Sequence, residues 1–359
     1  MAVDVSDHRP VASPPREAAG RRAHERHLLV RIFLRPETTA VVGTLLAFMF
    51  FAFDAGDSGF LTWDGTTNYL DVAAMIGILA APVTLLLIAG EFDLSVGAVV
   101  GATGIVVSYL VVNLHWAVWS ALAVALLAAA AIGVVNGLLV TRTRIPSFLV
   151  TLAVMYILQG LTISLTTSLT SQTSIAGINE AGDGQLLLAI FSGSVLGLPA
   201  SVWWWLGITA VAALALARTR FGNWIFVAGG NAEAGVRMGI PVRRVKTLLY
   251  ILTACSAVVV AMLSATEVNQ ADAARGGGME FQAAVAAVIG GSLITGGYGS
   301  PIGTLFGALL FGMVSQGFFF TSIDNNYFLT FLGLMLLIAV AVNQYLRGRS
   351  MRSGRRSHA

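Results

Sequence analysis

Two carboxylates, Glu91 and Asp93, interrupt what is otherwise one apolar run from Val72 to Val112. A charge at the centre of a membrane helix costs about 2.5–3.5 kcal/mol on insertion scales, so an ionisable residue there is a functional candidate by default. Two readings fit the pair. In the first they occupy a tight turn, and Asp93 caps the next helix by accepting an exposed backbone N–H. In the second the helix is discontinuous, and Glu91, Asp93 and Ser95 stand beside a translocation path. Asn136, Gln159, Asn269, Gln270 and Gln282 add side-chain amides that could hydrogen-bond either a polyhydroxylated solute or a neighbouring helix. A neutral sugar or polyol needs such partners to leave its water, and it needs no fixed counter-charge. An ion-coupled carrier would call for carboxylate or histidine relays inside the membrane. Only Glu91, Asp93 and Glu267 qualify, all near the ends of apolar runs.

The other chemically distinct stretch is Arg218 to Lys246, RTRFGNWIFVAGGNAEAGVRMGIPVRRVK. Its five arginines and one lysine lie between the apolar segments Val202–Ala217 and Thr247–Ala265, so it belongs outside the hydrocarbon. Glu233-Ala234, with Gly239 and then Pro241 shortly after, predicts a short helix that stops at a glycine. We read that helix as the docking point of an ATP-hydrolysing partner.

Chemistry by the chain itself is disfavoured. The histidines are His8, His24, His27, His115 and His358, nearly all in the tails, so no intramembrane metal cluster can be built. Lys246, the only lysine, follows no phosphate-binding loop, and no Gly-Ser pair forms a nucleophile elbow with a histidine partner. No catalytic residue, metal or bound cofactor is expected. The one cysteine, Cys255, lies in an apolar span and suits packing.

The elements that must hold these residues are membrane helices. Hydrophobic residues make up 56% of the chain and charged residues 11%, against roughly 25% charged in soluble domains. Apolar runs of about 20 residues predict ten spans. They cover about Thr38–Phe53, Val72–Ala89, Leu94–Val112, Trp116–Val140, Ser147–Leu165, Val202–Ala217, Thr247–Ala265, Phe281–Ile294, Ile302–Phe320 and Phe328–Tyr345. The eighth is short enough to be broken or re-entrant. With both termini cytoplasmic, ten spans put the arginines of both tails, Arg142, Arg144 and the 218–246 segment on one side, leaving only Arg275 opposite. That distribution obeys the positive-inside rule and accounts for the net charge of +3 without a nucleic-acid role. Residues 1–36 read as a disordered Arg-rich cytoplasmic tail, 37–346 as the transmembrane domain and 347–359 as a basic cytoplasmic tail. Gly97 and Gly101, Gly133 and Gly137, and Gly299, Gly303 and Gly307 recur at spacings that let helix backbones approach closely.

Four blocks then resemble the permease subunits of bacterial ABC importers of the ribose/xylose/galactose type. They are GEFDLSVGAVVGATG (Gly90–Gly104), GVVNGLLVTRTRIPSFLVTLAVMYILQGL (Gly133–Leu161), GGNAEAGVRMGI (Gly229–Ile240) and MEFQAAVAAVIGGSLITGGYGSPIGTLFGALL (Met279–Leu310). The resemblance runs from about Phe60 to Tyr345 and reaches, more distantly, branched-chain amino-acid and nucleoside permeases. It implies an all-α polytopic bundle of the type II ABC importer kind, working as a pair of permease copies. It also implies an ATP-binding partner subunit carrying ATP and Mg, and an extracytoplasmic solute-binding protein. The family's coupling loop falls on Gly230, Asn231, Glu233, Ala234, Gly235 and Gly239, with Arg237 beside them. Here the usual Glu-Ala-Ala reads Glu233-Ala234-Gly235, which by intrinsic propensity weakens the helix by roughly 1 kcal/mol. Gln282 stands where an acidic residue is usual, and Gly290-Gly291-Ser292-Leu293-Ile294 replaces Gly-Gly-Thr-Ser-Leu. A secondary carrier or channel for a small polar solute is the alternative function.

Overall fold

The computed structural model describes residues 36–143, 145–180, 185–321 and 323–341. The Arg-rich tails, save residue 36, lie outside the described residues, as do Arg144 and the end of the tenth expected span. Among the described residues the helices are α1 (Pro36–Ala55), α2 (Trp63–Ile88), α3 (Val96–Ser108, continued as a wider π turn over Tyr109–Asn113), α4 (Val118–Arg142) and α5 (Ser147–Thr170). After them come α6 (Gln185–Ser192), α7 (Ala200–Arg218), α8 (Arg220–Gly230), α9 (Ala232–Arg237), α10 (Val242–Glu267), α11 (Met279–Ile289), α12 (Pro301–Phe320) and α13 (Phe328–Ala341). Two small two-stranded sheets, β1 (Ser174–Ala176) with β4 (Gln270–Asp272) and the hairpin of β2 (Ser194–Val195) with β3 (Leu198–Pro199), lie at one end of the bundle.

Every expected span has its helix, and among the described residues eight helices are long and apolar enough to cross a membrane alone. The second span starts well before Val72, because Thr62 accepts the Gly65 N–H (3.1 Å) and lets the helix begin in the polar stretch at Trp63. The seventh starts at Val242, inside the basic segment, since Arg243 and Arg244 can be helical and still reach water.

α2 is the axis. Every residue from Ala73 to Ile88 is buried, enclosed by α7, α10, α11 and α12. The glycine pairs work as packing faces. A Cβ at Gly133 would lie 2.6 Å from the Ile251 Cα, one at Gly137 2.6 Å from the Thr247 Cα, and one at Gly307 2.1 Å from the Ala286 oxygen. Without a hydrophobic drive between helices in lipid, these backbone approaches supply the contact.

α11 resolves the eighth span. Its 11 residues rise about 16 Å, roughly half of a 30 Å hydrocarbon core. The chain still crosses, because the other half is not helical. From β4, paired with β1 at the end where α10 finishes, the backbone runs inward until Gly276 meets Gly97 and Val100. Past α11 it reaches the opposite end, where the Gly297 N–H bonds to the Ile88 carbonyl (2.8 Å).

Candidate functional site

The segment from Gly90 to Ser95 does not turn outside the bundle. It enters the protein without helical structure, and α3 begins only at Val96. Asp93 is 2% exposed. Its Oδ1 accepts the Ser95 N–H (2.9 Å) and the Ser95 hydroxyl (2.6 Å), and its Oδ2 accepts the Thr253 hydroxyl (2.6 Å). The Asn136 amide donates to Ser95 Oγ (2.8 Å). The segment's own backbone is satisfied from two helices, α5 and α10: the Phe92 N–H donates to Ser147 Oγ, the Leu94 N–H to Thr151 Oγ1, and the Tyr250 hydroxyl to the Phe92 oxygen. Non-helical backbone at this depth is tolerated only where protein or a cavity meets its polar groups. Glu91 pairs with Lys246 where α10 leaves the basic segment. At Glu91 and Asp93 the helix is interrupted, and the chain runs into the protein instead of making a tight turn outside it. Asp93 bonds Ser95 just before α3 rather than capping the helix itself, and Ser95 makes no side-chain cap bond.

The remaining amide candidates do not join this cluster. At the far end, Asn269 Oδ1 accepts the Asn179 N–H (2.9 Å), and the Gln270 amide donates to Ser174 Oγ (2.7 Å), tying β1 and the turn after it to β4. Gln159 and Gln282 are half-buried on α5 and α11, apart from it.

A residue that sequence reasoning passed over lies beside the cluster. Glu280 is 3% exposed, its Oε1 accepts the Gly278 N–H (3.2 Å), and its Oε2 has no hydrogen-bond partner among the described residues. A Cβ at Gly97 would lie 2.1 Å from that oxygen. α3 and α11 both start here, so the unpaired N–H ends of two helices flank one carboxylate, an arrangement that favours negative charge. The available signal was an acidic residue in the first turn of a helix. Asp71 on α2, which accepts the Ser201 hydroxyl, is a second missed carboxylate. Glu280→Ala is expected to lower stability by about 1–2 kcal/mol through loss of its contacts with the helix ends, with Glu280→Gln in between. Thermal unfolding in detergent checks the order, and a Glu280→Ala protein as stable as the wild type would refute it.

At the basic end, residues 218–246 are mostly helix rather than loop. Thr219 Oγ1 accepts the Gly222 N–H (3.1 Å) to start α8, whose Ile225 and Ala228 are buried. The predicted short helix is α9. The Asn231 side chain accepts the Ala234 N–H (2.9 Å) at its start, and Gly239, at φ +80°, follows its end. Glu233, Val236, Arg237 and Met238 are exposed. Gly235 does not leave the helix unformed. It is buried, and a Cβ there would press to 2.9 Å from Val227 Cγ1, so glycine seats α9 on α8. Behind α9, Gly229 touches the interior: a Cβ would come within 1.8 Å of the Ile88 oxygen and 2.8 Å of the Gly297 nitrogen. The exposed helix, the end of α2 and the turn after α11 therefore meet at one glycine joint.

A family model described as branched-chain amino acid transport system / permease component matches residues 65–340. The ribose import permease protein RbsC of Escherichia coli K12 is 34% identical over 289 residues, 79% of this chain and 87% of the relative. The L-arabinose ABC transporter permease protein AraH of Azospirillum brasilense is 32% identical over 290 residues, 81% and 83% of the two chains. The xylose transport system permease protein XylH of E. coli K12 is 26% identical over 369 aligned positions, 88% and 94% of the two. No solved structure matches.

Proposed function

The chain belongs to the branched-chain amino acid transport system / permease component family, and on that footing we propose that it is the transmembrane subunit of an ATP-driven importer for a monosaccharide or related polyol. It is a multi-pass protein of the bacterial inner membrane. The relatives named for ribose, L-arabinose and xylose support a sugar cargo. So does a buried polar cluster made largely of hydroxyls and amides around one carboxylate. In this reading a separate ATP-binding subunit carries ATP and Mg, a second permease copy completes the pathway, and an extracytoplasmic binding protein delivers the solute. The positive-inside rule assigns the α8–α9 face, and both termini, to the cytoplasm.

The observation that carries the proposal is α9 itself, a short, capped, exposed helix whose base rests on the end of α2. A partner that pulls on Glu233, Val236 or Arg237 would act on the most buried helix of the bundle through Gly229. Replacing both Glu233 and Arg237 by alanine should leave a folded protein whose sugar uptake falls at least tenfold while the partner's ATP hydrolysis continues. Uptake in proteoliposomes, assayed beside ATP hydrolysis, reads both. Normal uptake by the double variant, or uptake that survives without any ATPase and collapses with an ionophore, would favour a secondary carrier instead.

A further inference from the structure

At the end of the bundle opposite α9, a cavity of about 220 Å³ opens under α6. That volume is roughly seven waters' share of liquid, the scale of one sugar ring and too small for a peptide. Its polar lining comes from four separate elements: Thr67, Asn68 and Asp71 on α2, Ser192 on α6, Ser201 on α7 and Glu267 at the end of α10. Phe191 lines it as well, stacked on Trp204 with ring centroids 5.5 Å apart and planes within 4°. The Trp204 N–H donates to the Ile190 oxygen on α6, and the Trp203 N–H to the Val195 oxygen on β2, which holds the cover down.

We propose that this cavity is a binding site for a neutral polyhydroxylated ring, a monosaccharide that halts here on its way into the bundle. The inference rests on the importer reading above and assigns part of the solute's route. Two carboxylates offer up to about four acceptor sites each, which match adjacent sugar hydroxyls, while the Asn68 amide can both donate and accept and the Thr67 and Ser201 hydroxyls, already donating to the Asp64 oxygen and to Asp71, can accept. Ser201 already orients Asp71 by donating to it. Met75 and Leu263 close an apolar floor, and with Phe191 they suit the C–H face of a pyranose or furanose ring. Few precise polar groups over an apolar base is the general form of a small-molecule site. An amino acid would bring an ammonium that Asp71 and Glu267 attract but also a carboxylate that they repel, and no cationic side chain among the described lining residues would hold the latter, so that cargo is disfavoured.

The test uses the full chain in lipid nanodiscs without a binding protein. D-ribose, L-arabinose, D-xylose and L-leucine serve as probes, and binding is followed by ligand-observed NMR. Saturable binding of at least one sugar and not of leucine is expected. It should weaken at least tenfold in the Asp71→Asn/Glu267→Gln double variant with an unchanged thermal unfolding midpoint, and separately in Phe191→Leu, which keeps the buried apolar volume while removing the ring. Three results would overturn the site: no sugar binding to the wild type, sugar binding equal in all three proteins, or carboxylate-dependent binding of calcium with none of sugar. Failure here is distinguishable from failure of the importer reading. A complex that still imports sugar at the wild-type rate with both carboxylates replaced keeps the transporter and removes this site.

Discussion

Gly229→Ala should reduce ATP-driven uptake by at least tenfold, whereas Gly230→Ala, one residue on, should transport almost as the wild type does. The contrast follows from what each added methyl group meets. At position 229 it would lie 1.8 Å from the Ile88 oxygen and 2.8 Å from the Gly297 nitrogen. Both are backbone atoms, so no side-chain rotation relieves the clash. Those same two residues share a hydrogen bond, Gly297 N–H to the Ile88 carbonyl, and the methyl would wedge against it. Overpacking of this sort typically costs 1–3 kcal/mol even when side chains can yield. At position 230 nothing lies within 4 Å. Both residues fall in the same glycine pair, so by sequence they look equivalent. If Gly229→Ala transports normally, force from α9 does not pass through this joint, and the mechanical part of the proposed function fails with it.

Asp93→Ala carries the second large effect, and here the readout is stability. The substitution takes the acceptor from the Ser95 N–H, the Ser95 hydroxyl and the Thr253 hydroxyl, all buried. Thr253 can fall back on the Tyr250 carbonyl, already 2.9 Å away, but the Ser95 N–H has no such recourse. A buried polar group left without a partner costs about 1–3 kcal/mol. With the hydroxyls partly rescued, the loss should be roughly 2–4 kcal/mol on the same scale. Asp93→Asn should fall between, because its amide oxygen accepts while its NH₂ meets donors on both sides. Thermal unfolding midpoints and the monodisperse fraction after detergent extraction measure the series. An alanine variant with the wild-type midpoint would show that Asp93 is dispensable to the fold, and would free it for a direct role on the solute path.

The class of this protein was legible because hydrocarbon imposes a simple rule. Backbone groups must be satisfied within each segment, so spans appear as long apolar runs, and arginines such as Arg142, Arg218 and Arg243 mark their ends. The same logic located α9 from Glu233, Ala234 and Gly239 with Pro241 beyond, since left-handed glycines and prolines stop helices locally. The helical nature of the stretch before it, α8, escaped notice because its Gly222, Gly229 and Gly230 look like loop residues until Ile225 and Ala228 are seen facing the bundle.

What the tertiary structure alone decided concerns the places where local rules stop. Nothing in Gly90–Ser95 says whether those residues turn outside or run inward. That depended on Ser147, Thr151, Tyr250 and Thr253 arriving from α5 and α10 to accept or donate the hydrogen bonds that helix would otherwise supply. Glu280 gained its setting only when the starts of α3 and α11 met around it. Asp71, Ser201 and Glu267 belong to three helices far apart along the chain, and they became neighbours only on folding. Composition fixes which solvent a segment prefers, but a buried polar site is a property of several segments at once, and the pairing that makes it affordable in lipid exists only in three dimensions.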